Sequence, residues 1–202
     1  MTWLTHIPIR TYAERYELVD FVETGTWRGD GIGFAESCGY DNIFSCDINP
    51  EFAERAKINF PSAKVSNADS LSFLEFVLPT LKSNTLFWLD AHFPGMYGTE
   101  ETPEEFRLPL LAEINLIKAY KEGYEHDVII CDDIRTLRSD ENPRYRAGEI
   151  PEEQYLDIDW NEFVNILSDT HVAILSQEHD GVMTFFPKDK YTPQEGYFTY
   201  RT

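Results

Sequence analysis

Two runs of the chain, Leu86-Phe87-Trp88-Leu89-Asp90-Ala91-His92 and Val128-Ile129-Ile130-Cys131-Asp132-Asp133, carry the residues best suited to chemistry. Each is an apolar segment of the kind that forms a strand buried on both faces, and each stops abruptly at acidic groups. Open α/β sheets bind ligands at the carboxyl ends of their strands, so two such runs lying side by side would bring Asp90, His92, Asp132 and Asp133 to one spot. Three carboxylates and an imidazole suit a cation site with a base beside it.

A glycine-rich turn upstream indicates what else that spot would hold. Val19-Asp20-Phe21-Val22-Glu23 reads as a strand, and Thr24-Gly25-Thr26-Trp27-Arg28-Gly29-Asp30-Gly31 turns it into a helix running through Ile32, Phe34 and Ala35. Glycines permit positive φ and close approach of a ligand to the backbone, and the helix amino terminus behind them is electropositive. A second strand, Asn42-Ile43-Phe44-Ser45-Cys46, ends at Asp47, with Ile48 after it. That acid lies about 20 residues beyond the turn, the spacing at which a carboxylate meets the ribose hydroxyls of a nucleoside in this topology.

With these residues in view, the chain resembles the class I S-adenosylmethionine-dependent methyltransferases. Glu23-Thr24-Gly25-Thr26-Trp27-Arg28-Gly29 is similar to their first motif, Asp47 to their ribose-binding acid, and Asn67-Ala68-Asp69-Ser70 to the segment that contacts the adenine. The resemblance implies a cofactor pocket drawn from Glu23, Thr24, Gly25, Thr26, Trp27, Gly29, Asp47, Ile48, Asp69, Ser70 and Asp90. Gly25 would lie near the methionine part, Glu23 would position the turn or the amino group, Asp47 would hold the ribose and Asp69 would sit near the adenine. The glycine spacing departs from the dinucleotide fingerprint, so a nicotinamide dehydrogenase fits less well.

Within that superfamily the acidic strand ends resemble the metal-dependent O-methyltransferases, especially the macrocin O-methyltransferase-like group that acts on sugars and natural products. The resemblance implies that Asp90, Asp132 and Asp133 hold Mg²⁺ or another divalent cation, and that His92, with Asp90, is catalytic. The acceptor implied is a small molecule, a sugar, vicinal diol or catechol, whose metal-bound hydroxyl loses its proton to His92. The likeness covers residues 21–133 and fades beyond them.

Each of these residues also has a plainer use. Asp47 and Asp69 could cap the helices that follow them, Asp132-Asp133 could be a solvated turn, and His92 could bond to backbone. Two other functions stay open. One is a catalytically silent nucleoside- or metal-binding module, and the other a metal enzyme without S-adenosylmethionine, using Asp90, His92 and Asp132. A single histidine among carboxylates suits Mg²⁺ better than the two-histidine iron triad.

The elements that must position these groups are legible as alternating strands and helices. A helix over residues 51–60 follows Asn49 as cap and Pro50 at its first position. A third strand falls at residues 63–66, a helix at 70–78 capped by Asp69 or Ser70, and the fourth strand at 85–90. Leu110, Leu111, Ile114, Leu116 and Ile117 mark a helix after Pro109, leading to the fifth strand at Val128. A last helix spans residues 160–167, and His171-Val172-Ala173-Ile174-Leu175 with Val182-Met183-Thr184-Phe185-Phe186 form a hairpin turning at Asp180-Gly181. The fold expected is α/β, a Rossmann-like doubly wound and mostly parallel seven-stranded sheet, with helices on both faces and a carboxy-terminal antiparallel hairpin.

One domain is expected over all 202 residues, with residues 93–108 and 137–159, which follow the acidic strand ends, as lids over the site. Lys plus Arg number 17 against 36 Asp plus Glu, a formal charge of −19, which disfavours nucleic acid and anionic membranes as partners. With no membrane span and no basic-then-apolar leader, a cytoplasmic location is expected. Cys38, Cys46 and Cys131 lack zinc-ligand spacing and read as small core hydrophobes. A helix face that packs in a homodimer looks like one that packs in a core, so a homodimer stays open.

Overall fold

A computed structural model gives the fold, with residues 3–91, 109–141, 156–176, 181–193 and 197–199 described. The chain opens with a short 3₁₀ turn, Trp3–His6, and helix α1, Ile9–Tyr16. Strand β1 (Asp20–Thr24), helix α2 (Asp30–Cys38), strand β2 (Asn42–Asp47), helix α3 (Pro50–Asn59) and strand β3 (Lys64–Asn67) follow. Helix α4 (Ser70–Val77) leads to strand β4 (Thr85–Leu89), and helix α5 (Leu110–Tyr120) to strand β5 (Val128–Cys131). After two-residue strands β6 (Leu137–Arg138) and β7 (Leu156–Asp157) come helix α6 (Trp160–Asn165), β8 (His171–Ser176), β9 (Met183–Pro187) and β10 (Tyr197–Thr199).

The main sheet runs β3-β2-β1-β4-β5-β9-β8-β10. Strands β1 to β5 are parallel, while β9, β8 and β10 pair antiparallel. Seven of these strands are the ones legible in the sequence, and the three-residue β10 extends the hairpin edge. Chain order reverses between β1 and β4, so the topological switch point lies between their carboxyl ends.

Strict alternation divides the side chains of these strands between two cores. Val22, Phe87, Leu89, Ile129, Cys131 and Phe185 pack under α4, α5 and α6, against Phe73, Leu74, Ile114, Ile117 and Phe163. Phe21, Ile43, Leu86, Trp88, Val128 and Ile130 pack on the other face against Ile9, Tyr12, Tyr16, Ile32 and Ala35 of α1 and α2. Full burial of a side chain the size of Phe87 stabilises by roughly 1.5–3 kcal/mol, so both layers hold the central strands firmly.

Helix starts follow their caps. The Asn49 side chain accepts the Glu51 N–H at 2.9 Å with Pro50 in the first turn, and Asp69 accepts the Ser72 N–H at 2.8 Å. Residues 93–108 of the first expected lid lie outside the described residues. The two ends of the second, 137–159, are joined as a parallel pair, Leu137 with Leu156 and Arg138 with Asp157. No helix among the described residues is long and apolar enough to cross a membrane.

Candidate functional site

Parallel register brings the candidate residues into one row. Thr24 is level with Cys46 and with Leu89, and Leu89 with Cys131. One step further along each strand stand Gly25, Asp47, Asp90 and Asp132, and Asp47 is itself paired with Asn67. The row therefore runs across the carboxyl ends of β3, β2, β1, β4 and β5, spanning the switch point. By alternation Glu23, Ser45 and Trp88 share the α1/α2 face beneath it.

Gly25 and Asp90 meet across the switch point. Gly25 has φ +88°, and a Cβ there would stand 2.6 Å from the Asp90 carbonyl oxygen. The Asp90 N–H in turn donates to the Thr24 carbonyl (3.1 Å) and is 3.2 Å from the Thr24 hydroxyl. Trp88 Nε1 donates to Asp90 Oδ2 at 3.2 Å. The result is a close-walled cradle that only glycine can line.

Beneath the cradle lies a buried polar relay. Ser45 Oγ donates to Glu23 Oε2 at 2.7 Å, and Thr26 Oγ1 lies 2.5 Å from Ser45 Oγ. Glu23 is only 2 % exposed, and a Cβ on Gly31 of α2 would fall 1.8 Å from its Oε1. Burial pushes the Glu23 carboxyl up to about 8, opposed by the Ser45 hydroxyl and reinforced by the charges of Asp90, Asp47 and Asp30. Glu23 thus holds α2 against the turn and does not face solvent.

Asp47 divides its carboxylate between two backbone groups. Oδ2 accepts the Trp27 N–H and Oδ1 the Asn49 N–H, both at 2.8 Å. Burial raises its pKa, against which the Asn49 and Trp27 N–H groups and Arg55 work. Asn67 Nδ2 donates to the carbonyls of Asp47 (2.9 Å) and Ile48 (3.0 Å), fixing the loop that presents Ile48, 42 % exposed. An apolar side chain left open beside a carboxylate suits a purine ring with its ribose.

Four of the turn amides already have partners. Gly25 N–H and Thr26 N–H both donate to the Cys46 carbonyl, Trp27 N–H to Asp47, and Gly29 N–H to the Thr26 carbonyl. A phosphate cradle needs such N–H groups pointing at the ligand. These four N–H groups are therefore not aimed at a ligand phosphate.

Of the residues expected to line a cofactor pocket, Gly25, Trp27, Asp47, Ile48, Asp69 and Asp90 keep accessible surface, whereas Glu23, Thr24, Thr26, Gly29 and Ser70 are buried. The buried ones serve from below. Gly29, with φ +84°, packs so closely on Phe60 that a Cβ would meet its ring at 2.4 Å.

The metal expectation meets a different arrangement. Asp133 sits in the left-handed region at φ 53° and pairs with Arg135 Nη2 at 2.9 Å. Asp132 Oδ1 accepts the Asp133 N–H at 2.8 Å. Among the described residues no group of three or more His, Cys, Asp or Glu side chains is placed to hold a metal ion. Of the three carboxylates expected to hold a cation, Asp133 has the Arg135 guanidinium beside it. His92 lies outside the described residues.

Ser45, Arg55 and Arg135 join the site without having stood among the candidate residues of the sequence. Ser45 was signalled by its place two residues before Asp47 on a strand of period two. Arg55 and Arg135 carried no such signal, since their partners lie on other elements or across a turn.

No protein-family model matches the sequence, and no curated protein does either. Solved structures do match. The SAH-bound methyltransferase of Podospora anserina shares 16 % identity at a TM-score of 0.60, covering 94 % of this chain and 80 % of that one. An O-methyltransferase from Bacillus cereus in complex with SAH shares 12 % at 0.55, covering 92 % and 82 %. TomG of Streptomyces achromogenes, an O-methyltransferase of tomaymycin synthesis solved with SAM, shares 13 % at 0.56, covering 93 % and 81 %. At these identities the likeness is one of fold: the chain has the Rossmann-like architecture of class I methyltransferases.

Proposed function

We propose that this chain is an S-adenosylmethionine-dependent O-methyltransferase acting on a hydroxyl of a small molecule, a sugar, diol or catechol. The observation that carries the reading is the switch-point cradle, where Gly25 closes on the Asp90 carbonyl with Asp47 in the same row and Ile48 following it in the chain. The bonds that the Gly25, Thr26, Trp27 and Gly29 N–H groups make within the site, which turn them away from a ligand phosphate, support it. So does the likeness of fold to methyltransferases solved with SAM or SAH.

When bound, S-adenosylmethionine supplies a methyl group on a cationic sulfur for transfer to an oxygen. Asp47 keeps lone pairs beyond those used by Trp27 and Asn49, and accepts from the ribose hydroxyls. Ile48 offers the purine an apolar surface, and Asp69 stands at the start of α4, two residues after the Asn67 that bonds the Ile48 carbonyl. Glu23, held neutral below about pH 8, adds no net charge under the turn. His92, two residues beyond Asp90, takes the acceptor's proton on an imidazole nitrogen, whose ordinary pKa near 6.5 suits neutral conditions.

Arg135 lies against the Asp133 carboxylate, and no step of the transfer runs through Mg²⁺. The formal charge of −19 keeps nucleic acid out of the acceptor role. Calorimetric titration with S-adenosylmethionine and S-adenosylhomocysteine, followed by methyl-transfer assays on sugars, diols and catechols, tests the proposal. Binding of either nucleoside with transfer to a hydroxyl is the expected result; absence of binding by both would overturn it.

A further inference from the structure

Trp27 is a bulky residue in a conformation that suits glycine. Within the turn, Gly25, Trp27 and Gly29 have positive φ, 88°, 45° and 84°. A side chain in this region crowds its own backbone, so a tryptophan stays there only when its surroundings hold it. Those surroundings are specific. Asp47 Oδ2 accepts the Trp27 N–H at 2.8 Å, Arg55 Nη2 donates to the Trp27 carbonyl at 3.2 Å, and the Arg28 guanidinium lies 4.4 Å from the centre of the indole. Asp47 is itself braced by the Asn49 N–H, and its strand end by Asn67.

We propose that Asp47 is a positioning residue for the glycine turn as well as a ribose ligand: its carboxylate holds Trp27 in the left-handed conformation and so sets the surface on which the methionine part of the cofactor lies. The inference rests on the methyltransferase reading above. The two tasks are compatible, because each carboxylate oxygen has a lone pair to spare after its backbone bond.

A residue that acts only on the ribose matters only to a ligand that has ribose hydroxyls. The test therefore compares S-adenosylhomocysteine with its 2′,3′-dideoxy analogue by calorimetry, on the unsubstituted protein, Asp47→Ala, Trp27→Gly and the double variant. Asp47→Ala is expected to weaken the dideoxy analogue about tenfold, the size of effect that releasing one strained residue gives. In the Trp27→Gly background, where glycine takes positive φ freely, the Asp47→Ala penalty on that ligand should shrink below about threefold.

The inference falls if Asp47→Ala leaves the dideoxy analogue within about threefold of its original affinity and merely erases the difference between the two ligands. It falls equally if the penalty is the same in both backgrounds. Should circular dichroism show Asp47→Ala unfolded, Asp47→Asn, which keeps one acceptor oxygen, is judged by the same two comparisons. If the unsubstituted protein binds neither nucleoside, the methyltransferase reading fails and takes this inference with it. Binding to the unsubstituted protein without the coupling defeats the inference alone.

Discussion

The carbonyl oxygen of Asp90 occupies the place that a side chain on Gly25 would need, 2.6 Å from an ideal Cβ. Both partners in this contact are backbone. The glycine turn after β1 and the acidic end of β4 are thus fitted together by shape, and no rotamer change can relieve an added methyl. The contact also explains why the first glycine of the turn, with φ +88°, has no substitute.

Gly25→Ala combines positive φ with a clash against main chain. The expected cost is about 2–4 kcal/mol of stability, together with loss of S-adenosylhomocysteine affinity of more than about a hundredfold. Denaturant unfolding and calorimetry check both. An alanine variant that bound the nucleoside normally would show that the cradle is not where the ligand sits.

Glu23 makes stability depend on pH. Its folded-state pKa of about 8 lies above the ordinary 4.5, so the stability it contributes is full below pH 4.5 and is lost as pH rises through 8. Glu23→Gln keeps the shape and the bond from Ser45 but cannot ionise. The fall in unfolding free energy between pH 5.5 and pH 8.5 should shrink by roughly 2–4 kcal/mol in that variant. Asp127, also pushed up to about 8 by burial, works in the same direction in both proteins, so the comparison isolates Glu23. An unchanged pH slope would contradict the buried, neutral carboxyl.

His171 acts in the opposite direction at the foot of the sheet. Its Nε2 lies 3.0 Å from the Asp127 carbonyl and its Nδ1 2.8 Å from the Thr170 hydroxyl, which suits a neutral ring with the proton on Nε2. Burial pushes its pKa down to about 4 from 6.5. The stability it contributes is present above pH 6.5 and lost as pH falls through 4, about 3 kcal/mol in all. His171→Gln should flatten the acid limb of a stability profile between pH 7 and pH 4; a limb of equal steepness would assign acid sensitivity to other groups.

The central strands were legible because each is buried on both faces, which writes an apolar run such as Val128 to Cys131 into the sequence. Caps were legible for the same local reason, and Asn49 and Asp69 perform as their positions suggest. Helix α1 went unread although Ile9, Tyr12 and Tyr16 fall at helical spacing, because it is only eight residues long and Pro8 at its start makes no side-chain cap. The three-residue β10 is shorter than any periodicity can mark. In the site, the row of strand ends followed from topology, but the pairing of Asp133 with Arg135 did not. It depends on Asp133 adopting φ 53°, and nothing in Asp132-Asp133-Ile134-Arg135 foretells a left-handed aspartate.

That aspartate separates two views of the acidic strand ends. The Asp133 carbonyl accepts from both the N–H (2.9 Å) and the hydroxyl (2.7 Å) of Thr136, which locks the turn, while its carboxylate takes Arg135 at 2.9 Å. The main chain at Gly181 lies against the Arg135 side chain, and its carbonyl accepts the Ile134 N–H at 2.8 Å. If Arg135 does the work that a divalent cation would do, Mg²⁺ or Mn²⁺ should leave the melting temperature of the unsubstituted protein unchanged. Arg135→Gln removes the guanidinium from the Asp133 carboxylate. The variant should lose about 1–2 kcal/mol and then become metal-responsive, Mn²⁺ at a hundredfold excess over its Kd restoring about 2.7 kcal/mol. Thermal melts of both proteins with EDTA, Mg²⁺ and Mn²⁺ decide the matter. Equal stabilisation of the two proteins by metal would mean that the carboxylates take a cation with Arg135 in place, and would return the acidic strand ends to a metal-assisted role.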